Sequence, residues 1–299
     1  MATGIDIGSN SLRAVKIDCA MHEKVAEYEK VVRTAEGLDA TGRISDGAIE
    51  RIIEALKEAQ ECMGGFGRVR AVATAAFRMA KNAQEATECI ESATGIPIEI
   101  VDAETESLLS VRGVEYGLRA KKYPTERFLM ADIGGASTEI VMKHRADILF
   151  RSFRLGILTT IERFRTKEEI VFGIRRHMSD IEEFLRDLFE LFGKPKIFVG
   201  TGGTPATVAA LKLGLTYETY DAAKVSGVTI SSDDIEKAYT QLMKLPPKER
   251  ARLVGTGRED AIMAGLVILG ELLRRAGYKE MVVSDEGVRE GAALSLCGS

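Results

Sequence analysis

Tryptophan is absent from this chain, and histidine and cysteine are scarce, with three and four copies. The histidines (His22, His144, His177) lie far apart in polar contexts, which argues against a histidine triad or a multi-histidine metal centre. Each is expected on a solvated surface. The cysteines (Cys19, Cys62, Cys89, Cys297) are scattered and form no Cys-x-x-Cys pair. That spacing argues against a disulfide framework or a structural zinc site and fits a reducing cytosol. No apolar run approaches the ~18 residues of a membrane span, and the chain starts as a strand and not as a signal peptide. Excess positive charge is also missing. The formal net charge is -4, so no global basic field is available for nucleic acid or an anionic membrane. The expectation is a soluble, cytoplasmic protein that binds any polyanion through a local cluster of side chains, backbone N–H groups and metal.

What is present is ordinary globular material. The 299 residues are 45% hydrophobic and 29% charged, enough for two cores of about 150 residues each. Short β-branched runs alternate with helical patterns, the mark of an α/β protein. Strands are expected at "GIDIG", "RAVKIDC", "VRAVAT", "IPIEIVD", "RFLMADIG", "STEIVMK", "KIFVGTGG" and "EMVVSD". A helix is predicted after Ser45 or Asp46, with Ile49, Ile52, Ile53, Leu56 and Met63 on one face and Gly64 and Gly65 as its stop. A second is predicted over 168–192, with Ile174, Met178, Ile181, Leu185, Leu188 and Phe192 facing inward.

One internal similarity organises the chain. "GIDIGSNSLRAVKI" near the start is echoed by "MADIGGASTEIVMK" at 130–143. Each reads as a β-hairpin with an acid at its rim and small residues in its turn. Two such hairpins predict two domains of the same build, divided by the polar segment 117–127: residues 1–119, then 120–299, with the last helix able to pack on the first domain.

The hairpin turns carry the first chemistry. Gly8, Gly134 and Gly135 let backbone approach a ligand, and successive N–H groups there can cradle phosphate oxygens. Ser9, Asn10, Ser11, Ser137 and Thr138 add polar side chains, and Asp6 and Asp132 stand where a phosphate-bound magnesium ion would be met. "VGTGGTPATVAAL" supplies another glycine turn at Gly202 and Gly203 ahead of a helix, suited to anions, although it is neither a Walker A loop nor a dinucleotide fingerprint. Arg78 in "AVATAAFRMAKN" can fork onto phosphate or simply be a surface arginine. Glu104 and Glu106 in "VDAETESLLSVRGV" sit where a helix dipole favours acids; in a phosphate cleft one of them could activate water.

Together, "IDIGSNSLR", "ATAAFRMAKN", "DAETESLLSVRGV", "DIGGASTEI", "FRLG", "GTGGT", "GREDAIMAG" and "VSDEGVREG" resemble, in order, the exopolyphosphatase/guanosine pentaphosphate phosphohydrolase (Ppx/GppA) family. This family lies within the actin-like ATPase and sugar kinase superfamily, and the length resembles its short, two-domain members. The resemblance implies an α/β fold of two ribonuclease H-like domains around a phosphate-binding cleft. It implies Mg2+-dependent hydrolysis of the terminal phosphate of inorganic polyphosphate, or of the 5′ γ-phosphate of guanosine pentaphosphate; paired chains are compatible with it.

By position, Glu106 aligns with the acid that prepares water, with Glu104 as second choice, and Asp132, with Asp6, meets metal. Gly8, Ser9, Asn10, Ser11, Gly134, Gly135, Ser137 and Thr138 fall in phosphate loops, and Arg78 aligns with a phosphate-chain arginine. The chain departs from the pattern at Asp102-Ala103, where Ser-Gly is usual, at Thr105, the first place of an acidic pair, and at Ala136, a third glycine. Two rival readings remain: an ATP-dependent phosphotransferase or ATPase of the same superfamily, and a non-catalytic sensor of polyphosphate or guanosine tetraphosphate.

Overall fold

The computed structural model describes residues 1–163 and 167–298. The chain divides into two units, one made of Met1–Tyr116 with the segment from Glu286 onward, the other of Gly117–Asp285. The division thus falls a few residues before 119, and the last helix belongs to the first unit.

Five strands build the first unit: β1 (Ala2–Ile7), β2 (Ser11–Asp18), β3 (Glu23–Val31), β4 (Arg68–Ala73) and β5 (Ile98–Ile100), in the order β3-β2-β1-β4-β5. The first three are antiparallel neighbours, whereas β4 and β5 run parallel to β1. β1 is central and buried almost throughout, as its near-continuous apolar sequence requires. On one face the helix Asp46–Cys62 packs Ile49, Ile52 and Leu56 into a core with Ile5, Ile7 and Leu12. Ser45 is its N-cap, accepting from the backbone N–H of Ala48 at 3.2 Å. On the other face lies the helix Val288–Leu296, whose Ala293 and Leu294 cover Val15 and Ile17. Its approach is backbone to backbone: a Cβ added at Gly4 would overlap the carbonyl oxygen of Arg289. The helix Ala103–Ala120 touches the same segment through Gly113, where a Cβ would overlap the carbonyl of Gly287.

The second unit repeats the plan. Its strands β6 (Arg127–Ile133), β7 (Thr138–His144), β8 (Asp147–Phe153), β9 (Phe198–Thr201), β10 (Thr229–Ser231) and β11 (Glu280–Ser284) follow the order β10-β11-β9-β6-β7-β8. Without the antiparallel edge strand β10, the order matches that of the first sheet, with the same pattern of parallel and antiparallel pairs. Both units are therefore ribonuclease H-like α/β domains. The helix Lys167–Phe192 buries Ile174, Met178, Ile181, Leu185 and Leu188 in the core of this unit.

Several sequence expectations are corrected. β3 and β8 were not foreseen: in "EKVAEYEKV" and "DILFRSF" exposed and half-buried positions dominate, so neither shows a continuous apolar run. The cysteine reading changes too, because Cys19 and Cys297 are disulfide-bonded with Cα atoms 5.0 Å apart, while Cys62 and Cys89 are exposed and free. Strand β2 and the last helix bring together two residues separated by 278 positions, a proximity no local spacing reveals. His144 is not solvated; it is half-buried and stacks on Phe192, with ring centroids 5.1 Å apart.

Candidate active site

In the first unit the site begins at the β1–β2 turn. The backbone N–H of Gly8 donates to the carbonyl of Ser11 at 3.0 Å, closing the turn. The carbonyl of Asn10 accepts from Val32 and Arg33 (2.9 and 2.8 Å), and that of Ser9 from Ala35 (2.9 Å), so the segment after β3 holds the turn rigid. Asp6 lies two residues before Gly8 on β1, directly across from Arg13 on β2. Arg13 is itself engaged with Glu29 at 3.1 Å. The Asp6 Oδ1 atom is buried without a hydrogen-bond partner, and so is the Asn10 Oδ1 atom. Burial pushes the Asp6 carboxyl up to about 6, against the pull of Arg13 and Arg289 and with a further push from Glu290. An orphaned buried carboxylate oxygen suits a cation, so the residues present fit magnesium.

Arg289 and Glu290 belong to a buried ion cluster beside β1. Lys24 Nζ lies 3.1 Å from Glu27, 3.1 Å from Glu286 and 3.3 Å from Glu290, and Arg289 Nε donates to Glu290 at 2.8 Å. Burial works against the charge on Lys24, but Glu290, Glu286 and Glu27 together hold its ammonium well above the ordinary lysine range. These charges satisfy one another and fasten the last helix.

β4 and β5 end side by side and deliver the second part of the site. Arg78, on the short helix Ala75–Met79 after β4, places Nη1 at 3.0 Å from the carbonyl of Val101 and 2.5 Å from Oε2 of Glu106. Arg78 is thus neither a surface arginine nor an uncommitted one. Glu106 is mostly buried in this pair, whereas Glu104 is exposed to solvent. The two acids, equivalent in the sequence, are therefore separated by the structure. Asp102 also gains an explanation. Its Oδ1 accepts from the backbone N–H of Thr105 at 2.7 Å, the bond a serine in this place would make at a helix start. Hydrogen bonds from Thr105, with a smaller contribution from the Arg78 charge, hold the Asp102 carboxyl below its usual range.

The second unit mirrors the first hairpin. Gly134 N–H donates to the Ser137 carbonyl at 2.9 Å, as Gly8 does to Ser11. The carbonyls of Gly134 and Gly135 accept from Ile157 (3.0 Å) and Leu158 (2.8 Å). The "FRLG" stretch therefore supports the turn, and Gly156 has no room for a Cβ against Gly135 and Ala136. Ala136 is enclosed, so its methyl packs inside the unit. Thr138 is a correction: its hydroxyl donates to the Leu155 carbonyl at 2.5 Å and is fully buried, a structural bond and not a phosphate donor.

Asp132 faces Glu139 across the β6–β7 pair and Thr201 across the β6–β9 pair. Gly202 lies against this acid, since a Cβ there would come within 3.1 Å of Asp132 Oδ1, and its φ of 93° favours glycine. Gly203 follows at the start of the helix Gly203–Lys212, and a Cβ on it would be 3.7 Å from Nη1 of Arg258. Within this unit, then, Asp132, the turn at Gly134, Gly135 and Ser137, and the turn at Gly202 and Gly203 are brought together. Glu139 and Arg258 join them, although the sequence reading singled out neither. Equal spacing of Asp132 and Glu139 from the hairpin turn is the signal that identifies Glu139. Glu139 is buried and accepts from Ser152 Oγ at 2.6 Å. Among the described residues no group of three or more His, Cys, Asp or Glu side chains is placed to hold a metal. A pair of carboxylates with phosphate and water completing the shell is nevertheless the usual magnesium arrangement.

These elements have counterparts in known proteins. A sequence model of the Ppx/GppA phosphatase family matches residues 14–299. The chain belongs to the Ppx/GppA phosphatase family. Exopolyphosphatase 2 of Mycobacterium tuberculosis is 32% identical to it, over 98% of each chain. Among solved structures, the Aquifex aeolicus PPX-GPPA enzyme shares 31% identity, covers 98% of each chain and has a TM-score of 0.74. An exopolyphosphatase from Cytophaga hutchinsonii, 22% identical, shares the fold with a TM-score of 0.83 over 99% of this chain and 97% of its own. The matched region reaches into both units and contains the second hairpin, the Arg78–Glu106 pair and the Gly202 turn, whereas β1 and the turn at 8–11 precede it.

Several basic side chains on and beside the two hairpins are already engaged. Arg13 pairs with Glu29, Arg151 lies over the Phe184 ring at 5.2 Å, and Lys143 donates to the Arg145 carbonyl at 2.8 Å. Lys81 and Arg154 are exposed. No helix among the described residues is long and apolar enough to cross a membrane.

Proposed function

We propose that this chain is a magnesium-dependent phosphohydrolase that removes the terminal phosphate of inorganic polyphosphate, with guanosine pentaphosphate as a second substrate. The observation that carries the reading is the segregation of Glu106 from Glu104. One acid is held by Arg78 in a partly buried pair, and the other is left in solvent. Membership of the family and the name of the mycobacterial relative supply the substrate class.

Water attacks the terminal phosphorus in line with the anhydride bridge. The P–O bond to the penultimate phosphate breaks, and Glu106 takes the proton of the attacking water. Within each unit, backbone N–H groups and hydroxyls of the hairpin turn, at 8–11 in the first and at 134–137 in the second together with Gly202 and Gly203, are suited to hold phosphate oxygens. Asp132 with Glu139 in the second unit are the carboxylates that would hold magnesium, and Asp6 is a separate candidate ligand within its own unit. When bound, the ion neutralises phosphate charge and so favours attack by water. No covalent nucleophile is needed, because phosphoryl transfer depends mainly on positioning and charge. The protein is read as cytoplasmic, with a homodimer compatible with its family.

The deciding measurement is phosphate release by the purified protein from polyphosphate and from guanosine pentaphosphate side by side, with and without magnesium. Release from either, abolished by chelation and by Glu106→Ala, is expected. ADP formation that depends on an acceptor would instead indicate a phosphotransferase, and tight binding without release would indicate a sensor.

A further inference from the structure

Arg78 commits its Nη1 to two partners within its own unit. Its Nη1 bridges the carbonyl of Val101, at the end of β5, and Oε2 of Glu106, on the first turn of the next helix (3.0 and 2.5 Å). The arginine and glutamate side chains are 22% and 12% exposed, so the pair is only partly screened by water. The segment that carries Arg78 is fixed on both sides. Phe77 is fully buried, and Asn82 bonds both backbone groups of Ile44 at 2.9 Å. The acid's segment is fixed as well, by the bond from Thr105 N–H to Asp102.

We propose that Arg78 is a positioning residue that acts on the reaction through Glu106, rather than a phosphate-binding cation. This rests on the reading of Glu106 as the group that receives the water proton. A guanidinium fixed between a carbonyl and a carboxylate restricts the Glu106 rotamer through Oε2. A phosphate drawing Arg78 away would break the bond that orients the acid. The two roles therefore predict different kinetics. Loss of a phosphate contact weakens substrate binding, whereas loss of orientation slows turnover, since displacement of a reacting group by about 1 Å can reduce rate about 10²-fold.

The experiment is steady-state hydrolysis of tripolyphosphate and long-chain polyphosphate by the full chain and by Arg78→Gln, Arg78→Lys, Glu106→Gln and the Arg78→Gln/Glu106→Gln double variant. Thermal melts of each serve as the folding control. In Arg78→Gln, kcat should fall roughly 10²-fold while KM stays within about twofold on both substrates. Arg78→Lys should restore part of kcat, and the double variant should be no slower than Glu106→Gln alone, because the arginine then has nothing to orient. If Arg78→Gln raised KM by about tenfold or more with kcat intact, or if the two losses multiplied in the double variant, the positioning role would be wrong. Wild-type turnover in Glu106→Gln would overturn the reading of Glu106 itself and the positioning role with it. Should Arg78→Gln fail to fold, Arg78→Lys carries the test: a drop in kcat supports positioning, and a rise in KM alone opposes it.

Discussion

Asp132 on β6 stands directly across from Glu139 on β7, one register step from the turn that closes the hairpin. In the first hairpin the same two places hold Asp6 and Arg13. The repeated hairpins are thus alike in backbone and opposite in charge at one position: two acids in one unit, an acid and a base in the other. Two adjacent carboxylates repel each other and attract a divalent cation, whereas an acid beside an arginine is already partly neutralised. The stronger magnesium requirement is therefore expected in the second unit. Asp132→Asn and Glu139→Gln should each lower hydrolysis by about 10²-fold at limiting magnesium, with partial recovery as the ion is raised. Titration of activity against magnesium concentration checks this; an unchanged half-saturating concentration in both variants would remove these acids from the metal site.

Asp6 gives a stability prediction with a definite sign. Its carboxyl ionises at about 6 in the folded protein, against 3.8 ordinarily. The folded state therefore keeps a proton that the unfolded chain has already lost between these values, and stability declines as pH rises through that window. Below pH 3.8 the penalty is absent; above about pH 6 it is fully present, at roughly 3 kcal/mol for a shift of this size. Asp6→Asn should consequently raise the melting temperature at pH 8 and have little effect at pH 3.5. Magnesium should raise the wild-type melting temperature at pH 8 more than that of the variant. Thermal melts across pH 3.5 to 8 supply the comparison, and a stabilisation that did not grow with pH would contradict the assignment.

Much of this arrangement was legible before any coordinates. The repeated Asp-Ile-Gly turns marked two units, and the helical periodicity placed Ile174 and Met178 inward, where both are fully buried. What escaped did so for identifiable reasons. β3 and β8 carry too many charged and half-exposed residues to look like strands. Glu139 emerges only when the hairpin is paired residue by residue. Thr138 looked like a donor because its hydroxyl follows a glycine turn, yet the first residue of β7 points inward and bonds Leu155. The choice between Glu104 and Glu106 needed tertiary structure, since the partner that distinguishes them, Arg78, is 28 residues from Glu106 in sequence.

The Cys19–Cys297 disulfide joins the end of β2 to the end of the last helix across a sequence separation of 278. Cross-linking over so long a span restricts the unfolded chain, a contribution of about 5–6 kcal/mol in the chain-entropy model. Alkylation of the denatured, unreduced protein should label Cys62 and Cys89 alone, and reduction should add the other two. Cys297→Ser should lower the melting temperature by several degrees, and added reductant should have no further effect on that variant. Four reactive thiols without reductant would show that the bond does not form in the isolated protein.

Gly4 is the sharpest test of how the last helix is seated. Its missing side chain lets β1 meet the helix backbone, and a Cβ there would overlap the Arg289 carbonyl and crowd the Ala293 N–H. These are main-chain atoms of a helix that also carries Glu290, buried against Lys24, so no flexible side chain can move aside. Gly4→Ala should destabilise the protein by about 3 kcal/mol or more, through displacement of a whole element. Gly64→Ala is the matched control. Gly64 has a φ of 61° and nothing within 4 Å of an added Cβ, so only the left-handed backbone penalty of about 1 kcal/mol applies. Urea melts of the two variants separate steric overlap from backbone strain. Limited proteolysis followed by reduction should release the segment from Glu286 onward in Gly4→Ala and leave it protected in Gly64→Ala; equal stability in both would mean that the helix seats on β1 less closely than the backbone geometry requires.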